Sequence, residues 1–185
     1  LAASVNQSVQ KSGRTTGQTF GKVTAINVTV DVGYSTTCGG PAKQIARFAN
    51  QIAISPGTFS AGGDSGSLIV EANSSDPANG RPRPVGLLFA GSSTSTIANP
   101  INDVLNQLGV TMAGGAASSG TPQAAVVESP AIAKAKAVKG RQSGFLFAKT
   151  GVVGHGVGLS KDGKPAIVVY LDSDSPSERA QIPKS

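Results

Sequence analysis

The chain has 185 residues, 4% aromatics with no Trp, 24 Gly and a net charge of +6. That length suits one domain or one and a half. No apolar run approaches a membrane span, no leader peptide is visible, and with one cysteine, Cys38, an internal disulfide is excluded. Gly, Thr, Val and Ser without Leu-rich helical periodicity point to an all-β body with many turns.

The first element is a strand or hairpin arm over 21–32, where Val and Ile alternate with Thr, Asn and Asp, so that one face is wet and the other buried. It follows Ser12-Gly13-Arg14-Thr15-Thr16-Gly17 and precedes a loop over 35–42. A second strand is expected over 47–54, and Pro56-Gly57 turns the chain into Phe59-Ser60-Ala61-Gly62-Gly63-Asp64-Ser65-Gly66-Ser67. A serine becomes a nucleophile when its hydroxyl stands on a tight turn with backbone N–H groups aimed at the same point. Glycines permit such turns. The stretch therefore reads as a nucleophile loop, with Ser65 attacking a carbonyl and the N–H groups of Gly63 and Ser65 holding the oxyanion.

A strand over 67–71 leaves the loop, and a polar turn over 72–83 leads to an apolar strand over 84–91. Thr96 to Ala98 returns. A short helix then runs to Leu108, with Asn99 as its cap, Pro100 at its first position and Gly109 ending it. From 113 to 143 the sequence is Ala, Gly, Ser, Pro and Lys without a period. It reads as a linker with room for a short helix over 131–138. Lys134, Lys136, Lys139 and Arg141 lie there with no acid and no interleaved aromatic residue, which suits a solvated segment better than a nucleic-acid surface. Residues 144–185 begin a new β pattern. A hairpin is expected, with arms over 152–159 and 166–171 and a turn at Lys161-Asp162-Gly163-Lys164.

Taken together, Ser12 to Gly17, Gly21, the strand to Tyr34, Gly63-Asp64-Ser65-Gly66, Gly86-Leu87-Leu88-Phe89-Ala90-Gly91 and Asn99 to Leu108 occur in an order and spacing that resembles the second barrel of bacterial chymotrypsin-fold serine proteases of the alpha-lytic and streptogrisin type. The resemblance covers residues 5 to 112, and a looser one to a Gly-Val-Gly-Leu hairpin covers 144–185. It implies an all-β fold: the second six-stranded β-barrel of a chymotrypsin-like double barrel, a short C-terminal helix, a linker and a β-hairpin fragment. The implied divisions are 1–112, 113–143 and 144–185, in a piece cut from something longer.

The resemblance also implies a trypsin-like serine endopeptidase with Ser65 as nucleophile and a His and Asp supplied by an N-terminal barrel upstream of Leu1. The parent would act on peptide or protein substrates, and this chain alone would be inactive. Family likeness further implies an Arg14–Asp64 ion pair shaping the loop. A substrate pocket would be formed by Phe59, Phe89, Ala90, Gly91 and Thr96, apolar or small because Phe59 stands where trypsin-like enzymes carry an acid. Gln10, Phe20 and Ala61 occupy places where the bacterial relatives carry cysteines, so compartment is open between secreted and intracellular. No metal cluster, cofactor, nucleic acid or membrane is implied. Two alternatives stay open: a non-catalytic protease-like binding module, and an acyl hydrolase of the α/β type using Ser65 with the single histidine, His155.

Overall fold

A computed structural model describes residues 2–37, 40–41, 44–72, 81–113, 128–173 and 175–183. Cys38, most of the turn over 72–83 and residues 114–127 of the expected linker lie outside the described residues. Among the described residues, eight strands and three α-helices follow in order: β1 (Ser8–Gly13), β2 (Gly17–Tyr34), β3 (Gln44–Ser55), β4 (Leu68–Glu71), β5 (Pro84–Gly91), β6 (Thr96–Pro100), α1 (Ile101–Leu108), α2 (Pro130–Phe147), β7 (Val152–Leu159), β8 (Pro165–Leu171) and α3 (Pro176–Ala180). The chain forms two compact units, 1–24 with 52–128, and 25–51 with 129–185. The long strands β2 and β3 each contribute to both.

The first unit is a closed antiparallel barrel. Its strands run β1-β4-β5-β6-β3-β2, and β2 pairs back onto β1. The period of two along the strands gives each an inward face, and the β1–β2 pairing closes the sheet. On β2, Thr19, Gly21 and Val23 lie further from solvent than Gln18, Phe20 and Lys22. Val9, Val23, Ile52, Ile54, Phe59, Ile69, Val85, Leu88, Ala98 and Ile101 are buried and fill the interior. Gly21 is small by necessity, since a Cβ there would sit 2.8 Å from the Phe59 ring. Helix α1 starts one residue later than expected: Pro100, rather than Asn99, holds the N-cap position without a side-chain cap. Gly109 ends the helix in the left-handed conformation, φ 63°.

In the second unit β2 pairs with β7, and β7 pairs antiparallel with β8, so the expected hairpin is present with Gly163 at φ 73° in its turn. The glycines of β7 allow close packing: a Cβ on Gly156 would lie 2.7 Å from Val28 Cγ2. Ladder irregularity on β2 falls between Ile26 and Thr29, where Asn27 takes φ 49°. Asn50 on β3 is also left-handed, and Asn27 Nδ2 donates to its Oδ1 at 3.1 Å. Asparagine tolerates this region better than most residues. The expectation of a loose segment as far as residue 143 gives way, from Pro130 on, to the 18-residue helix α2. Ser129 caps it by accepting from Ile132 N, and Pro130 opens its first turn. Alanines and lysines sustain it by propensity, which a search for apolar periodicity does not register. Among the described helices none is long and apolar enough to cross a membrane.

Candidate functional site

Ser60 to Ser67 links a 3-10 turn, Gly57–Phe59, to β4. Within it the Asp64 N–H donates to Ala61 O (3.1 Å), the Gly66 N–H to Leu88 O (2.8 Å) and the Ser67 N–H to Asp64 O (3.0 Å). Leu88 N returns a bond to Ser67 O at 3.1 Å, so the loop is stitched to β5. Gly63 and Gly66 have φ of 100° and 88°, a region that a Cβ makes costly. The result is a turn that leaves Ser65 exposed between them. Among the described residues the N–H groups of Gly63 and Ser65 make no hydrogen bond, while those of Asp64, Gly66 and Ser67 are taken.

Asp64 anchors the loop from below. It is 1% exposed. Its Oδ1 accepts from the Thr15 N–H (2.7 Å) and the Thr16 N–H (3.2 Å), and its Oδ2 from the Thr16 hydroxyl (2.7 Å) and the Ala61 N–H (3.1 Å). The Thr16 hydroxyl most of all, with the amides of Ala61, Thr15 and Thr16 and against the opposing effect of burial, holds the carboxyl far below the usual carboxylate range.

The expected Arg14–Asp64 pair is not formed. The ion-pair partner of Asp64 is Lys11, Nζ to Oδ2 3.3 Å, with both side chains buried. Lys11 Nζ also donates to Thr16 Oγ1 and to Gly17 O (3.0 Å). Arg14 is exposed and lies over Gly63, where a Cβ would come 2.5 Å from its Nη2. The reason is strand register. Val9 and Lys11 point inward from β1, whereas Arg14 follows the end of that strand. A lysine two residues from a core valine is the signal that could have found this pair, because buried lysines are seldom without a partner.

The expected pocket residues divide. Phe59 is 1% exposed and faces the barrel interior, with Lys11 Nζ 5.9 Å from its ring centroid; it is core, not pocket wall. Thr96 is fully buried, and its Oγ1 meets Ser60 Oγ at 2.6 Å. Ser60, half-buried, is the accessible member of that pair. Phe89 and Ala90 are half-buried and Gly91 exposed. A Cβ on Gly91 would lie 3.5 Å from Ser60 Oγ, so these strand residues and Ser60 adjoin.

His155 belongs to the second unit. It is fully buried, its Nε2 meets Ser143 Oγ at 3.0 Å, and burial, helped by the charges of Lys139 and Arg47, pushes the imidazole down to about 4. A base must be reachable by the hydroxyl it activates. The alternative in which His155 serves Ser65 within an α/β fold finds no support: His155 is buried, and the strand pairings among the described residues are antiparallel. Among the described residues no group of His, Cys, Asp or Glu is placed to hold a metal ion.

No family model matches the chain, and neither does any curated protein. Among solved structures, the chain is similar to a glutamic acid specific serine protease that uses a histidine triad in substrate binding, with 29% identity over 60% of this chain and 51% of that one and a TM-score of 0.42. It is also similar to Cellulomonas bogoriensis chymotrypsin, with 27% identity over 60% of this chain and 52% of that one and a TM-score of 0.44. The chain thus spans about half the length of these proteases.

Proposed function

We propose that residues 1–112 are the nucleophile-bearing half of a serine endopeptidase that hydrolyses peptide bonds through an acyl-enzyme on Ser65. The observation that carries this reading is the selective pattern of donors in the loop. Asp64, Gly66 and Ser67 spend their N–H groups on the fold, while Gly63 and Ser65 keep theirs free beside an exposed hydroxyl. Two free donors flanking a nucleophile are what a developing oxyanion requires. The Lys11–Asp64–Thr16 cluster acts by position, holding the peptide that carries these donors. Phe89, Ala90, Gly91 and Ser60 would face the substrate.

Among the described residues no group hydrogen-bonds the Ser65 hydroxyl, so a separate barrel would supply the His and Asp. Without them the hydroxyl is a weak nucleophile, and what remains is the oxyanion hole, which alone sustains about 10³–10⁴-fold over water in a dismantled triad. The test is acylation by an activated ester such as p-nitrophenyl acetate, read by mass and peptide mapping. Slow acetylation at Ser65 that disappears in Ser65→Ala supports the assignment. Acetylation elsewhere, or an equal rate in Ser65→Ala, refutes it and leaves a non-catalytic binding module.

A further inference from the structure

Helix α2 carries no apolar stripe; its buried residues are Lys139 and Leu146. Beside buried Leu146, α2 meets the strands of its unit through a row of three residues spaced by four, which a helix places on one side. Lys139 Nζ donates to Thr29 Oγ1 (2.8 Å) and Asn27 Oδ1 (3.3 Å) on β2. Ser143 Oγ meets His155 Nε2 on β7 at 3.0 Å. Phe147 lies against the same imidazole, with ring centroids 4.8 Å apart and planes at 57°.

The centre of this row is a buried imidazole with poor provision for a charge. His155 Nδ1 has no hydrogen-bond partner among the described residues. The strand neighbours opposite it, Thr29 on β2 and Val169 on β8, are uncharged. The charged groups near it are Lys139 from α2 and Arg47 from β3. Asp31, two residues beyond Thr29 on β2, has both carboxylate oxygens taken by Arg47, at 2.7 and 2.8 Å. Arg47 also lies 3.6 Å from the Phe147 ring centroid, so that ring already carries a cation. An imidazolium here would be buried near two cations, with the local carboxylate already committed.

We propose that α2 is an acid-released clamp: neutral His155 lets the row Lys139, Ser143 and Phe147 seat on β2 and β7, and protonation of His155 drives the helix off. The hydrogen bond to Ser143 is not the switch, because a hydroxyl can donate to neutral imidazole or accept from imidazolium. The switch is the uncompensated charge. The sign follows from the direction of the shift. A histidine whose folded value lies near 4, below the unfolded value of about 6.5, binds fewer protons folded than unfolded between those limits. The clamp is therefore intact above about pH 6.5 and weakens progressively as pH falls towards 4.

His155 is the single histidine, so its titration can be followed by NMR without assignment ambiguity, on the full chain, alongside amide exchange in α2. The expected result is an imidazole titrating at least one pH unit below about 6.5. In addition, α2 protection factors should fall about tenfold or more from pH 7 to 4.5, with barrel strands unchanged. In His155→Gln, which keeps a polar partner for Ser143 but cannot ionise, the loss in α2 should vanish. If that variant does not fold, His155→Phe serves: it keeps a ring against Phe147 but cannot ionise, so the acid loss in α2 should vanish there too. An imidazole titrating at or above about 6.5 in the folded chain, or equal acid loss of α2 protection in the variant that folds, overturns the clamp.

Discussion

Replacing Phe59 by alanine separates a core residue from a pocket residue. Phe59 is 1% exposed, its ring packs against Gly21, and Lys11 Nζ stands 5.9 Å from the ring centroid. A buried phenylalanine removes roughly 200 Å² from water. At about 25 cal/mol/Å² that is ~5 kcal/mol, an upper figure because unfolded chains are partly compact. Phe→Ala substitutions in cores cost about 3–5 kcal/mol, so we expect about 4 kcal/mol here. The hydrogen bond from Thr19 Oγ1 to Phe59 O, 2.7 Å, involves the backbone and is retained. In urea, with a slope of about 2 kcal/mol/M, the unfolding midpoint should fall by roughly 2 M, measured by far-ultraviolet circular dichroism. A midpoint within about 0.3 M of the parent would show that the ring does not fill the barrel, and would return Phe59 to the pocket wall.

Lys11→Met strips the buried Asp64 of its cation, whereas Arg14→Ala alters an exposed side chain. Acylation of Ser65 by the activated ester should slow on the order of tenfold in the first, through displacement of the oxyanion donors, and change little in the second; the reverse order would restore the Arg14 assignment. Asp64 itself makes a pH prediction. Its carboxyl is held below the ordinary range, chiefly by the Thr16 hydroxyl, so the ionised folded form is favoured. The stability this contributes is present above about pH 4, the unfolded value, and is lost as pH falls below it. Asp64→Asn should melt below the parent at pH 7, with the gap closing towards pH 3. A gap that stays constant across that range would mean the carboxylate charge is not what stabilises the loop.

Much of the barrel and its loop was legible in the chain because the evidence is local. The alternation of Val and Ile with Thr, Asn and Asp along β2 needs only neighbours two apart. The turn at Gly63 and Gly66 needs only residues that accept φ of 100° and 88°. The Lys161 to Lys164 turn is likewise a short-range instruction, with Gly163 at its positive φ. Propensity and turn chemistry settle these before any distant contact forms.

What lay beyond the sequence depended on which inward positions meet across long separations. Lys11 and Arg14 are three residues apart, and only the closing of β1 against β2 and β4 decides that Lys11 reaches Asp64. Phe59 and Ser60 are adjacent, and the barrel interior takes the ring while the serine stays at the surface beside Gly91. Helix α2 is apolar on no one side, so its place follows from Thr29, Asn27 and His155, residues far away in the chain. Local chemistry names the candidates for a site, and the packing of distant strands selects among them, because burial and ion pairing depend on three-dimensional neighbours that the order of residues does not list.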